Sequence, residues 1–193
     1  MEVKSGGYID TPLRTTPFAS LMYNYMFKQD TKFDPKYSVD LVFDPKDKEH
    51  LKFMKALKAL NTEVGQELLK GITKGKQQYK VKDIFKAQED SEGNPTGKFI
   101  LKACTKEKPV VKDAAGNLIP DSVGLKIGNG STGRAIVSYR ASVVTSRKTV
   151  GLTVYLSKAQ VTEVVEYEAN DGLSPVKGGF VADAKDTEEG CPF

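Results

Sequence analysis

Residues 134–156 constrain the fold more than any other stretch. Ala135, Val137, Tyr139, Ala141 and Val143 alternate with Arg134, Ser138, Arg140 and Ser142. After a basic turn, Ser146-Arg147-Lys148, the alternation resumes. Val150, Leu152, Val154 and Leu156 are interleaved with Thr149, Gly151, Thr153 and Tyr155. A period of two demands strands with one buried face, and the short turn between the runs predicts an antiparallel hairpin. If the two polar faces point the same way, Arg134, Arg140 and Tyr155 share one surface over small residues. A ring beside guanidinium groups on such a floor is suited to stacking a base and holding a phosphate. An exposed strand tyrosine with no such role is the plainer alternative.

Other strands carry the same signature. In residues 37–43, Tyr37, Val39, Leu41 and Phe43 are expected inside, with Ser38 and Asp40 outside. In residues 98–106, Lys98, Lys102 and Lys106 fall on one face and Phe99, Leu101 and Ala103 on the other. Lysines four positions apart on a strand stand on the order of 13 Å apart, a row able to follow a phosphate backbone; a merely solvated sheet face is the alternative. Tyr23, Tyr25 and Phe27 are expected on one face of a further strand, either as a core row or as an exposed stacking platform. Pro12 and Pro17 put the preceding segment at a sheet edge or in a loop.

One helix interrupts the strands. Asp44-Pro45 is a start signal, and Phe53, Met54, Leu57, Leu60 and Val64 recur at helical spacing to about Gly65. Lys46, Lys48, Lys52, Lys55 and Lys58 occupy much of its other side, as a solvated face or as part of a basic surface. Residues 71–79 read as a basic loop, 89–97 as a turn, and 109–120 as a hairpin turning at Asp113 to Asn117. Gly128-x-Gly130-x-x-Gly133 precedes a strand rather than opening a helix, so it reads as a loop and not as a dinucleotide site. The final strand is expected over Val161 to Tyr167.

Composition agrees with a β-rich body. The chain has 193 residues, enough for one domain with a real core, and 39% hydrophobic content with 17 Gly and 9 Pro. No apolar run is long enough for a membrane span, and the N-terminus has no apolar signal core, so a cytoplasmic protein is expected. Cys104 and Cys191 are expected as free thiols. A single histidine, His50, argues against a zinc site or a histidine-based catalytic arrangement, and no cofactor, metal or catalytic motif stands out.

The last eleven residues have the opposite sign to the rest. Asp183, Asp186, Glu188 and Glu189 outweigh Lys185, giving −3, whereas residues 1–182 hold 28 basic and 21 acidic residues, or +7. An acidic run this short cannot bury enough apolar surface to order itself. A basic body with an acidic tip points to a polyanion ligand and a tail that competes with it.

Together the basic β body, the single helix and the acidic end closing on Pro192-Phe193 resemble the phage-type single-stranded DNA-binding proteins. Thr11-Pro12-Leu13-Arg14-Thr15-Thr16-Pro17-Phe18 resembles phage members too. Gly190-Cys191-Pro192 departs from the Asp-Ile-Pro that precedes the terminal Phe in bacterial relatives. The resemblance implies a mainly β OB fold, a five-stranded barrel with one main helix after its second strand and long inter-strand loops. It implies an OB domain over residues 1–169, a linker over 170–182 and an acidic tail over 183–193. It also implies binding without chemistry, in replication, recombination and repair. Lys98, Lys102, Lys106, Arg134, Arg140, Arg147 and Lys148 would neutralise phosphates, and Tyr23, Tyr25 and Tyr155 would stack bases. Asp183, Asp186, Glu188, Glu189, Pro192 and Phe193 would compete with DNA and recruit partner enzymes. Self-association is left open. The rival readings are a double-stranded nucleic-acid module, disfavoured by the lack of a base-reading recognition helix, and a phage structural or assembly protein with a basic barrel surface.

Overall fold

The structure is a computed structural model that describes residues 9–10, 12–32, 34–72 and 78–167. The acidic tail, the linker and the middle of the predicted 71–79 loop lie outside these residues. Ten strands and two helices follow in chain order: β1 (Ile9–Asp10), β2 (Arg14–Thr15), β3 (Ala19–Met22), β4 (Tyr37–Phe43), α1 (Lys48–Lys70), β5 (Lys80–Val81), β6 (Lys86–Glu89), β7 (Pro95–Thr105), β8 (Val110–Lys112), α2 (Asp121–Gly124), β9 (Thr132–Val144) and β10 (Thr149–Glu163).

Five of these strands close a barrel. Neighbours run β9-β3-β4-β7-β10, and β10 returns to β9. All pairs are antiparallel except β7 with β10. Closure leaves no long free edge. This is a mainly β, five-stranded OB barrel with its main helix after the second barrel strand. Leu21, Val39, Leu41, Leu101, Ala103, Val137, Tyr139 and Val154 fill the interior. A tight seam of the barrel lies at Gly133, where a Cβ would sit 2.5 Å from the carbonyl oxygen of Gln160 and 2.9 Å from Leu21 Cδ1.

The predicted hairpin is β9 and β10, with Thr145–Arg147 in a single 3-10 turn and Lys148 left-handed at φ 49°. β10 is longer than its alternation suggests. Ser157 is an extra residue between the pairs Leu156 with Val137 and Lys158 with Ile136. This bulge shifts the alternation by one, so Ala159 and Val161 continue the buried face. The expected separate strand over Val161 to Tyr167 is therefore the end of β10, which stops at Glu163.

The helix also differs from expectation. Its N-cap is Asp47, whose Oδ1 accepts the Glu49 and His50 N–H groups at 2.8 and 3.0 Å, and it continues to Lys70. Asp44 instead closes the preceding turn by accepting Lys46 N–H at 2.9 Å. Asn61 and Gly65 sit on the buried face beside Met54, Leu57, Val64 and Leu68. Small or polar residues on that face hid the last turns from an apolar count. His50 fastens the start of α1: Nδ1 accepts Asp44 N–H at 3.0 Å, so the ring donates through Nε2 to the Phe18 carbonyl at 2.6 Å.

The segment after β3 is not a strand. β3 ends at Met22, Tyr23 takes φ 47°, and Asn24 Oδ1 accepts Met26 N–H at 3.0 Å. This local side-chain turn replaces the ladder. Tyr23 and Tyr25 are exposed, while Phe27 is buried, its ring packed over Gly124 of α2. In β4 Val39, Leu41 and Phe43 are buried as expected and Tyr37 is half-buried, but Ser38 and Val42 are buried too and Asp40 is half-buried. Neither side of that strand is freely solvated. No described helix is long and apolar enough to cross a membrane.

Candidate nucleic-acid interface

The outer surface of β4, β7 and β10, with residues of the 82–90 segment, holds an open groove of about 790 Å³. Its floor follows from strand register. Ser38 pairs with Cys104, Cys104 with Tyr155, and Tyr155 with Ser138. The Tyr155 ring thus stands between two small residues, and Tyr155 is 38% exposed. One step along, Asp40 pairs with Lys102 and Thr153 with Arg140. The Arg140 guanidinium carbon is 5.4 Å from the centroid of the Tyr155 ring, within cation–π range.

Residues 82–86 form one wall. Lys82 and Lys86 are exposed and line the groove with Ile84 and Phe85. Helix α1 holds this wall in place. Asn61 Nδ2 donates to the Lys82 carbonyl at 2.7 Å, and Asn61 Oδ1 accepts Leu152 N–H at 2.9 Å. Phe85 packs edge-on against Phe43 and Phe53, with centroids 6.1 and 6.5 Å away. Tyr23 lines the groove from beyond β3.

The charges of the lining are mixed, Lys82, Lys86 and Lys102 against Asp40, Asp83, Glu89 and Asp90, and Arg140 adds a cation at the Tyr155 ring. Asp40 lines the groove, its Oδ1 is buried, and that atom has no hydrogen-bond partner. Burial pushes the Asp40 carboxyl above its usual range, with Lys102 and Lys86 opposing the rise. At the end of β7, Asp34 holds Lys36 at 2.8 Å and Lys106 at 3.5 Å. The Lys36 bond holds Asp34 low, and the same bond raises Lys36.

The expected residues divide into groups. Lys102 and Tyr23 line the groove, and Arg140 and Tyr155 stand together on the sheet face beside it, outside the lining. Arg147 and Lys148 stand exposed at the β9–β10 turn; Lys148 is hydrogen-bonded to Gln78, and its carbonyl accepts Lys80 N–H. From that tip, β10 runs through Thr153 to Tyr155, roughly 23 Å at strand rise. Lys98 lies on the part of β7 that pairs with β6, outside the groove lining. Lys106 falls just past the strand and is tied to Asp34, because β7 ends at Thr105. The Tyr25 backbone pairs with Ser38, and its side chain is not among the groove-lining residues.

Arg134 does not join Arg140 and Tyr155. It is six residues down β9, its Nε donates to Gln160 Oε1 at 3.0 Å, and its guanidinium lies 4.7 Å from the Phe18 centroid. Lys36, Lys82, Lys86 and Asp40 were not singled out as site residues from sequence. Lys82 and Lys86 stand either side of an apolar pair, Ile84-Phe85, which is the one local signal of a wall anchored to a core. Among the described residues no cluster of three or more His, Cys, Asp or Glu side chains is arranged to hold a metal.

No protein-family model and no curated protein matches the chain. Solved structures do match its fold. gp2.5, a single-stranded DNA-binding protein encoded by bacteriophage T7, aligns at TM-score 0.62 and 18% identity, over 89% of this chain and 99% of that one. The single-stranded DNA-binding protein from bacteriophage Enc34, solved in complex with ssDNA, aligns at TM-score 0.55 and 15% identity, over 85% of this chain and 90% of that one. A C-terminal truncation of the Enc34 protein aligns at TM-score 0.54 and 14% identity, with the same coverage of both chains.

Proposed function

We propose that this protein binds single-stranded DNA stoichiometrically and with little regard to sequence. The observation that carries this reading is the Tyr155 ring, open to solvent on a floor of Cys104 and Ser138, beside Arg140 and one register step from Lys102. An unpaired base offers a flat face to such a ring, while its phosphates meet the surrounding cations. Every base has that face, so the contact does not select a sequence. The similarity to two phage proteins described as single-stranded DNA-binding, one of them solved with ssDNA, supports the same ligand.

Asp183 to Phe193 then act as a competitor. With DNA absent, their carboxylates occupy the cationic surface. With DNA bound, Phe193 and its neighbours are released to recruit replication or recombination enzymes. The experiment is a titration of labelled oligo-dT at two salt concentrations, with the full chain and with a chain ending at residue 182. Affinity is expected to fall steeply with salt and to rise on truncation. Salt-insensitive binding, or equal affinity for single- and double-stranded oligonucleotides, overturns the ligand assignment. Weaker binding after truncation overturns the competition.

A further inference from the structure

The lysines of α1 form a ridge that the groove leaves unused. Lys48, Lys52, Lys55 and Lys58 stand at intervals of four, three and three residues, about one charge per turn over roughly 15 Å of helix. All four are exposed. Among the described residues none of them takes part in an ion pair. On a surface where Lys36, Lys70, Lys106 and Lys108 each have a carboxylate, four unpaired ammonium groups in one file are a concentrated positive potential.

This ridge reaches the groove. Lys58 Nζ lies 5.0 Å from the Phe99 centroid and 6.0 Å from the Phe85 centroid. Phe85 is part of the groove wall, with Lys82 and Lys86 on either side. Of the four, Lys58 is the one placed against that wall, and Lys55, Lys52 and Lys48 follow it toward the start of the helix. Among the described residues no aromatic ring stacks with Lys48, Lys52 or Lys55, and Phe53 faces Phe43 and Phe85. The ridge therefore suits a phosphate backbone rather than bases.

We propose that the Lys48–Lys52–Lys55–Lys58 ridge is a second, purely electrostatic track that carries the single strand onward from the groove. The inference rests on the groove being the primary site. It makes the footprint of one protomer longer than the barrel face alone. An acidic peptide is the competing occupant, and the test separates the two.

The test uses the full chain and the triple variant K48E/K52E/K55E. Lys58 is kept because its stem covers Phe85 and Phe99. Two labelled oligonucleotides are titrated over a salt series, one of about six nucleotides, within the range one OB fold covers, and one of about thirty. The short one is expected to bind both proteins equally. The long one is expected to bind the variant at least about tenfold more weakly, with a log–log salt slope shallower by about 2, three contacts at about 0.7 each. Equal losses for both lengths, or none for the long one, overturn the proposal. So does loss of a peptide matching residues 183–193 from the variant while the long oligonucleotide still binds, which assigns the ridge to acidic peptides. If the unaltered chain binds neither length in a salt-sensitive way, the groove reading fails as well, and the short oligonucleotide identifies that case.

Discussion

Arg140 and Tyr155 face each other across the β9–β10 ladder, guanidinium carbon 5.4 Å from ring centroid. Their backbones are offset, Arg140 pairing with Thr153 and Tyr155 with Ser138, so the contact is diagonal and the ring keeps an open side. Tyr155→Ala is expected to weaken oligo-dT binding by about 1–3 kcal/mol, the worth of one stacked base. Tyr155→Phe keeps the face and is expected to bind within about twofold of the unaltered chain. Fluorescence titration of the two variants checks this, and equal losses would assign the hydroxyl rather than the ring.

Arg140→Ala is expected to reduce the salt slope by about 0.7, one phosphate contact on a single strand. A double-mutant cycle with Tyr155→Ala measures the coupling, expected at about 0.5–1 kcal/mol for an exposed cation–π pair. Zero coupling would mean the two groups act on DNA independently.

Asp40 would oppose a phosphate backbone in the proposed groove: a carboxylate there repels it, and its buried Oδ1 lacks a compensating bond. Asp40→Asn is expected to tighten DNA binding by about 1 kcal/mol, roughly fivefold, as a partly screened charge does. The folded-state pKa is raised, so the charged form costs stability at neutral pH, and that cost vanishes as pH falls through the folded pKa. Urea titrations should therefore show Asp40→Asn more stable at pH 7 and no different in acid.

Turn carboxylates have the reverse sign. Asp47, Asp90 and Asp113 are held low, first by backbone N–H bonds from His50, Asn94 and Asn117 respectively. Their contribution is complete above the ordinary carboxylate range and is lost as pH falls through their lowered values. The urea midpoint is expected to drop from about pH 5 downward, and Asp113→Asn is expected to flatten that fall.

Asn61 ties α1 to both the groove wall and β10. Asn61→Ala strands the Leu152 N–H and the Lys82 carbonyl, and is expected to cost about 1–3 kcal/mol. Denaturant unfolding reads that loss. Lys82 is held through this bond, so the variant should also bind DNA more weakly at a temperature where it remains folded.

The barrel was legible because its strands keep a strict period of two, as Ala135 through Val143 show. The helix end and the single length of β10 were less so. Asn61 and Gly65 are buried for their fit against Lys82 and Val81, and Ser157 shifts the alternation without any residue type that announces it. Of the site, Arg140 and Tyr155 could be placed together because they belong to one hairpin. Arg134 belongs to that hairpin as well, but the partners that draw it away, Phe18 and Gln160, come from β-strand surroundings that periodicity does not reveal. Lys82 and Lys86 reach the groove through long-range packing of Phe85, which local sequence does not encode.

The extra residue at Ser157 gives one continuous strand two unrelated duties. Ahead of it, β10 shows Thr153 to the groove and Tyr155 to the sheet face beside it; behind it, Gln160 donates to the Asp113 carbonyl at 3.1 Å and receives Arg134. Drawing Ser157 into the ladder as an ordinary paired residue would rotate everything downstream by half a pleat, aiming Lys158 and Gln160 at the barrel interior and Ala159 and Val161 at water. The ring and the hairpin brace could then no longer coexist on the same stretch of chain.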